Sequence, residues 1–211
     1  MKTIVISVAL LISNWCTAQL NIGPVKTDSS YDHPLINELL KRDFPDLQDL
    51  SDSKNELEIR VCFMCPRPMY IKFLVFTYND SVWNIKEYET IHEGSVTRKS
   101  SVSYDVDRYD PWYSSILSKM VDTLKQNNAF TLVSQDKLDL QGNVFDGAGY
   151  SFSFKYKNVI GGYGCYSPAS YAAGNPGVKE LQEYLNIQEL MLGTYKQFNY
   201  SFSQFDKWWV R

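Results

Sequence analysis

From Glu56 to Met64 the chain alternates without a slip: Leu57, Ile59, Val61 and Phe63 stand between Glu58, Arg60, Cys62 and Met64. A period of two means that successive side chains leave the backbone on opposite sides, so this stretch reads as a strand with one face buried. Tyr150–Lys157 repeats the pattern, with Tyr150, Phe152, Phe154 and Tyr156 on one side and Ser151, Ser153, Lys155 and Lys157 on the other. Met69–Tyr78 is apolar almost throughout, which predicts a strand covered on both faces. Two half-buried strands and one fully buried strand require a sheet with something packed on it.

The turns and helices fill in around these strands. Asn79-Asp80 reads as a two-residue hairpin turn into Ser81–Ile91. Residues 92–110 are polar and predict a loop or a ragged strand pair. Phe130–Val133 reads as a short strand, Gly161-Gly162 as a turn, and Tyr163–Tyr166 as the strand returning from it. Asp32-His33-Pro34 opens a short helix over Leu35–Arg42, and 46–55 is a polar loop. Asp110-Pro111 opens a second helix over 112–126, with Ile116, Leu117, Met120, Val121 and Leu124 on one face. Pro168–Gly177 reads as a loop. A last helix covers 178–193, with Val178, Leu181, Leu185 and Leu192 inward and Gly193 past its end. The fold class is α+β: an antiparallel sheet of about five to seven strands with two main helices packed on one face.

The N-terminus carries a second kind of message. Lys2, the apolar run Ile4–Ile12 and the small residues around Cys16-Thr17-Ala18 have the order of a cleavable signal peptide, with cleavage near Ala18-Gln19. The apolar run is far shorter than the roughly 20 residues that span a bilayer. The expected organisation is a signal peptide at 1–18, an N-terminal arm and short helix at 19–55, and an α+β domain at 56–211. Localisation is then secreted or periplasmic. Loss of Lys2 and of no acid takes the formal charge from −3 to −4. That mild acidity is dispersed, and no basic stripe points to nucleic acid. No later segment of the mature chain has the length and apolarity to be transmembrane.

Cleavage also discards Cys16 and leaves Cys62, Cys65 and Cys165 in an oxidising compartment. An odd number allows one intramolecular disulfide, and Cys65–Cys165 or Cys62–Cys165 are the structural pairings expected, with free or buried thiols as the alternative. Cys62-Phe-Met-Cys65 has the spacing of a thiol oxidoreductase but lies in a strand pattern, where residues three apart point to opposite faces. Three sulfurs without a spaced histidine make a weak zinc set, and no cofactor motif is present. His33 and His92 are read as loop histidines. A hydrolase would need carboxylates gathered in space, with Glu87, Glu89, Asp105, Asp107 and Asp110 as the candidates. The aromatic row of 150–156 reads as a core face, while Tyr163, Tyr166, Trp208 and Trp209 are candidate contact aromatics.

Leu57-Glu58-Ile59-Arg60, the segment from Asp146-Gly147 through Tyr150–Asn158, and Tyr166-Ser167-Pro168 before a closing helix together resemble small exported bacterial proteins without an assigned function. The resemblance covers about residues 56–193 and implies export and an α+β fold. It transfers no active-site residue. The function expected is that of an exported non-enzymatic protein binding a protein or glycan partner at the cell envelope. The alternatives are an exported hydrolase using a carboxylate pair and a thiol-disulfide oxidoreductase using Cys62 and Cys65.

Overall fold

The computed structural model describes residues 20–26, 41–66, 69–93, 96–105, 111–145 and 147–198. The expected signal peptide, the start of the first helix with His33, the pair Asp107 and Asp110, and the tail with Trp208 and Trp209 lie outside the described residues. Six strands form one antiparallel sheet: β1 (Leu57–Pro66), β2 (Met69–Asn79), β3 (Val82–Glu93), β4 (Val96–Asp105), β5 (Gly149–Tyr156) and β6 (Val159–Tyr166). Their order is β4-β3-β2-β1-β5-β6. A four-strand meander is thus extended on the β1 side by a hairpin that arrives after helix α1 (Pro111–Gln126). Helices α2 (Pro168–Gly174) and α3 (Lys179–Phe198) follow.

The period-two pattern sorts the side chains as it predicts. Leu57, Ile59, Val61 and Phe63 of β1 join Leu74, Phe76, Trp83, Ile85, Phe152 and Phe154 in the larger of two cores. Leu117, Met120, Val121 and Leu124 of α1 belong to that core, as do Leu181, Tyr184, Ile187, Met191 and Tyr195 of α3. The opposite face carries a smaller core of Phe44, Cys62, Ile71, Phe73, Val75 and Tyr88. Residues 71–76 of β2 are therefore buried on both sides of the sheet, which is why β2 shows no alternation in sequence. The segment 41–56, which ends a helix at 43 and makes a 3-10 turn at Leu50–Asp52, covers part of this second face.

Several local expectations are corrected. The first hairpin turn is Asp80-Ser81, both at positive φ (50° and 68°), with Asn79 paired to Val82. Of the two readings of 92–110, the strand pair holds: β3 runs on to Glu93 and β4 pairs with it from Val96 to Asp105. The sequence leaves the choice open because all of 96–103 is exposed, so nothing selects an apolar alternation there. Phe130–Val133 is no strand. Residues 127–131 are a turn whose Phe130 ring stands edge-on against Phe154 at 5.0 Å. Gly161-Gly162 lies inside β6, and the turn falls at Lys157-Asn158, with Lys157 at φ 54°. Residues 168–174 of the expected loop are helix α2. The last helix runs to Phe198 with Gly193 inside it, and its buried stripe passes through Tyr184, Ile187, Met191 and Tyr195, leaving Leu185 and Leu192 half-buried.

β1 runs on past Met64 and pairs through Pro66 with Met69. Beyond Met64, β5 no longer pairs with β1, so a proline costs no ladder bond on that side. At the far edge, β6 is closed by side chains: the Gly164 amide donates to Ser134 Oγ (3.1 Å) and the Tyr166 amide to Gln135 Oε1 (2.8 Å).

Candidate functional site

The cysteines are placed apart. All three are free thiols. Cys62 lies in the second-face core and Cys165 in the helix-face core, so the sheet separates them. Cys65 falls on the helix face by alternation and so cannot meet Cys62. Cys165 pairs with Tyr150 on β5, which pairs with Phe63 on β1, leaving Cys65 two strand spacings away. That is about 10 Å, beyond the ~7 Å limit for a bridge. The expected Cys62–Cys165 and Cys65–Cys165 disulfides are therefore not formed, for a topological reason. Burial pushes the Cys62 thiol up to about 12 against a hydrogen bond with Ser151, and pushes Cys165 up as well. Neither is poised as a nucleophile.

Of the candidate carboxylates, Glu87 and Glu89 share the helix face of β3. Lys72 Nζ sits 2.5 Å from Glu87 Oε1 and 3.4 Å from Glu89 Oε2. Tyr195 of α3 donates its hydroxyl to Glu87 Oε2, and Lys72 Nζ lies 4.7 Å from the Tyr195 ring centre. This cluster fastens the end of α3 to the sheet. Burial and the neighbouring Glu89 raise the Tyr70 phenol well above its usual range. The two carboxylates thus share one ammonium, and Tyr195 of α3 caps Glu87. Asp105 ends β4 opposite Asn84.

Among the contact aromatics, Tyr163 is fully buried and stacked on Phe152 (5.4 Å) and Tyr184 (5.1 Å), so it is a core residue. Tyr166 is half-buried, and its hydroxyl accepts the Gly147 amide.

The second face of the sheet holds what the sequence reading missed. His92, read as a loop residue, is in β3. Its Nδ1 lies 2.9 Å from Thr97 Oγ1, and its Nε2 lies 3.5 Å from Asp43 Oδ2. A carboxylate, an imidazole and a hydroxyl in that order have the arrangement of a nucleophilic relay. Asp43, however, also binds Arg42 Nε (3.0 Å), Lys99 Nζ (2.9 Å) and Thr90 Oγ1 (3.2 Å). Burial alone would raise the Asp43 carboxyl; Arg42 and Lys99 overcome it and hold the group at about 2. Its charge is shared among several donors, and its effect is to pin residues 42–43 to β3 and β4.

Beside this anchor, the segment 46–55 stands off the strands and encloses a cleft of about 510 Å³. Val75 and Thr77 of β2, Asn84 and Lys86 of β3 and Ser103 of β4 lie along its floor. One wall is built on the buried pair of Glu58 and Arg60, neighbours on the same face of β1. Glu58 Oε1 accepts Arg60 Nε at 2.6 Å, and Glu58 Oε2 accepts Asn55 Nδ2 at 2.9 Å and the Ser53 hydroxyl. Arg60 Nη2 reaches on to the Gln48 carbonyl at 2.9 Å. Lys155 of β5 holds the same segment by the carbonyls of Ser51 and Ser53. Tyr88 donates to Asp46 Oδ2 at 3.3 Å; burial and this carboxylate raise its phenol to about 12. Four neighbouring strands and a tethered segment thus form a preorganised, mostly polar concavity.

No protein-family model, no curated protein and no solved structure matches the chain. No helix among the described residues is long and apolar enough to cross a membrane.

Proposed function

We propose that the chain is an exported, non-enzymatic binding protein and that the cleft under 46–55 takes a glycan. The observation that carries this reading is the state of the cleft's two carboxylates. Glu58 is held by Arg60, Asn55 and Ser53, and Asp46 accepts from Tyr88. With Glu58 locked in an ion pair, Asp46 has no second available carboxylate in the cleft to form the pair that glycoside hydrolysis uses, yet the site offers fixed donors and acceptors. Thr77, Asn84 and Ser103 add uncharged hydrogen-bonding groups around the apolar Val75, a mixture that suits the hydroxyls and the C–H surface of a sugar. The volume, about 510 Å³, is within the range of small-molecule sites. Export follows from the signal-peptide pattern of residues 1–18 and puts the protein where envelope glycans are.

The test is binding of the protein to immobilised glycans, with Asn84→Leu and Ser103→Leu variants alongside. Both positions are exposed, so the fold tolerates the change. The expected result is a defined set of retained glycans, lost at least tenfold in affinity in either variant, with no glycan cleaved. Equal binding by wild type and both variants would move the site elsewhere, and turnover of a bound glycan would replace the non-enzymatic reading with the hydrolase.

A further inference from the structure

The charges around the cleft are unequal. Arg60, Lys54 and Lys86 line it against only Asp46 and Glu58, in a chain whose net charge is −3. Arg60 is paired with Glu58 and bonded to the Gln48 carbonyl. Lys54 and Lys86 are different. Both are exposed, and neither has a carboxylate partner among the described residues. Of the acids close to Lys54 in the chain, Asp49 is paired with Lys41 at 2.7 Å and Glu56 accepts the Asp80 amide at 3.1 Å, while Asp52 is exposed and does not line the cleft. One lysine stands on the tethered segment and the other on the strand floor, and both line the cleft.

We infer that the ligand of this cleft is anionic: an acidic saccharide whose carboxylate or sulfate is received by Lys54 and Lys86 while its hydroxyls meet Thr77, Asn84 and Ser103. This rests on the glycan reading of the same cleft. Two lysines suit an anion of either geometry, because an ammonium is a point charge with three rotatable donors. A concave wall of low dielectric focuses their field beyond what two surface lysines would exert in open water. Arg60 offsets Glu58 as an ion pair, which leaves the two lysines in excess over Asp46. An anion entering the site therefore meets two lysines against the single carboxylate of Asp46.

The experiment is calorimetric titration of the full protein at low and at moderate ionic strength. The probes are an oligogalacturonate, its fully methyl-esterified counterpart, a sulfated heparin disaccharide and inorganic sulfate. The proteins are wild type, Lys54→Met, Lys86→Met and the double variant. The inference expects binding of the oligogalacturonate or of the sulfated disaccharide. The choice between those two identifies the anionic group. Affinity should fall several-fold for each single variant and more than tenfold for the double, weaken with salt, and be lost on esterification. Retention of the methyl ester with unchanged affinity in the double variant would overturn the anionic ligand and leave the glycan reading standing. Lysine-dependent binding of sulfate ion, with no binding of any saccharide, would keep the anion site and overturn the glycan. Failure of all four probes would overturn the inference. Circular dichroism and thermal midpoints of the variants check that these two exposed substitutions leave the fold unchanged.

Discussion

The three thiols show how burial, more than spacing, decides what a residue can do. Cys62-x-x-Cys65 has a redox spacing, but alternation along β1 sends the two sulfurs to opposite faces of the sheet. Cys62 and Cys165 are buried, and Cys65 is half-exposed. Since burial pushes the Cys62 thiol up to about 12 and raises Cys165 too, their thiolate fraction near pH 8 is negligible. Iodoacetamide at pH 8 should therefore modify Cys65 in the native protein and leave Cys62 and Cys165 untouched, while all three react in urea. Peptide mass spectrometry reads the outcome directly. Early modification of Cys165, or recovery of a Cys165-containing disulfide from the native protein, would contradict the separation described above. Glu58 and Arg60 make the complementary point. Each alone would be a costly buried charge, and together with Ser53, Asn55 and the Gln48 carbonyl they form a satisfied network that shapes the cleft wall.

At the scale of elements, legibility followed burial contrast. β1 and β5 were plain because each has one dry face and one polar face, and β2 because both its faces are dry. β4 was legible only as one of two alternatives because neither face is buried along 96–103. The second hairpin was misplaced because Gly161-Gly162 looks like a turn, whereas the chain needs glycine there for space. A Cβ on Gly161 would meet the Lys26 carbonyl oxygen at 2.6 Å and the Phe154 ring at 2.7 Å. The Lys26 backbone is itself held, its amide donating to the Phe130 carbonyl at 3.0 Å, and Phe154 is in the core, so neither neighbour can retreat easily. Gly164, three residues on in the same strand, has nothing within 4 Å of the equivalent position. Gly161→Ala should then cost about 1–3 kcal/mol by overpacking, and Gly164→Ala should change stability by no more than about 0.5 kcal/mol. Urea unfolding midpoints of the two variants make the comparison. Equal effects would mean that Gly161 serves the conformation of the strand and not the approach of residues 20–26.

For the whole molecule, the decisive arrangement is the cover that 41–56 places over the second face of the sheet. Nothing in its polar sequence announced that role. Its attachments are single residues (Asp43, Phe44, Leu47, Leu50) whose partners are far away in the chain, so no local period records them. The cleft exists because this segment is held at both ends, by Asp43 on β3 and β4 and by the Glu58–Arg60 network and Lys155 on β1 and β5. The Asp43 anchor carries a pH signature. Its carboxyl lies at about 2 in the fold against an ordinary 3.8, so folding favours the ionised form. The stability it supplies is fully present above about pH 4 and is lost as pH falls through about 2. Other carboxylates titrate in the same range, so the measurement is the gap between wild type and Asp43→Asn, which isolates this one group. In urea melts at pH 6, 4, 3 and 2, wild type should be the more stable at pH 6 and 4, and the gap should narrow steadily toward pH 2. The narrowing should be weaker at high salt, because Arg42 and Lys99 reach Asp43 from the solvent side, with side chains 59% and 41% exposed. A gap that stays constant from pH 6 to 2 would show that Asp43 holds the segment by shape alone. In that case its charge would have no part in keeping the cleft in place.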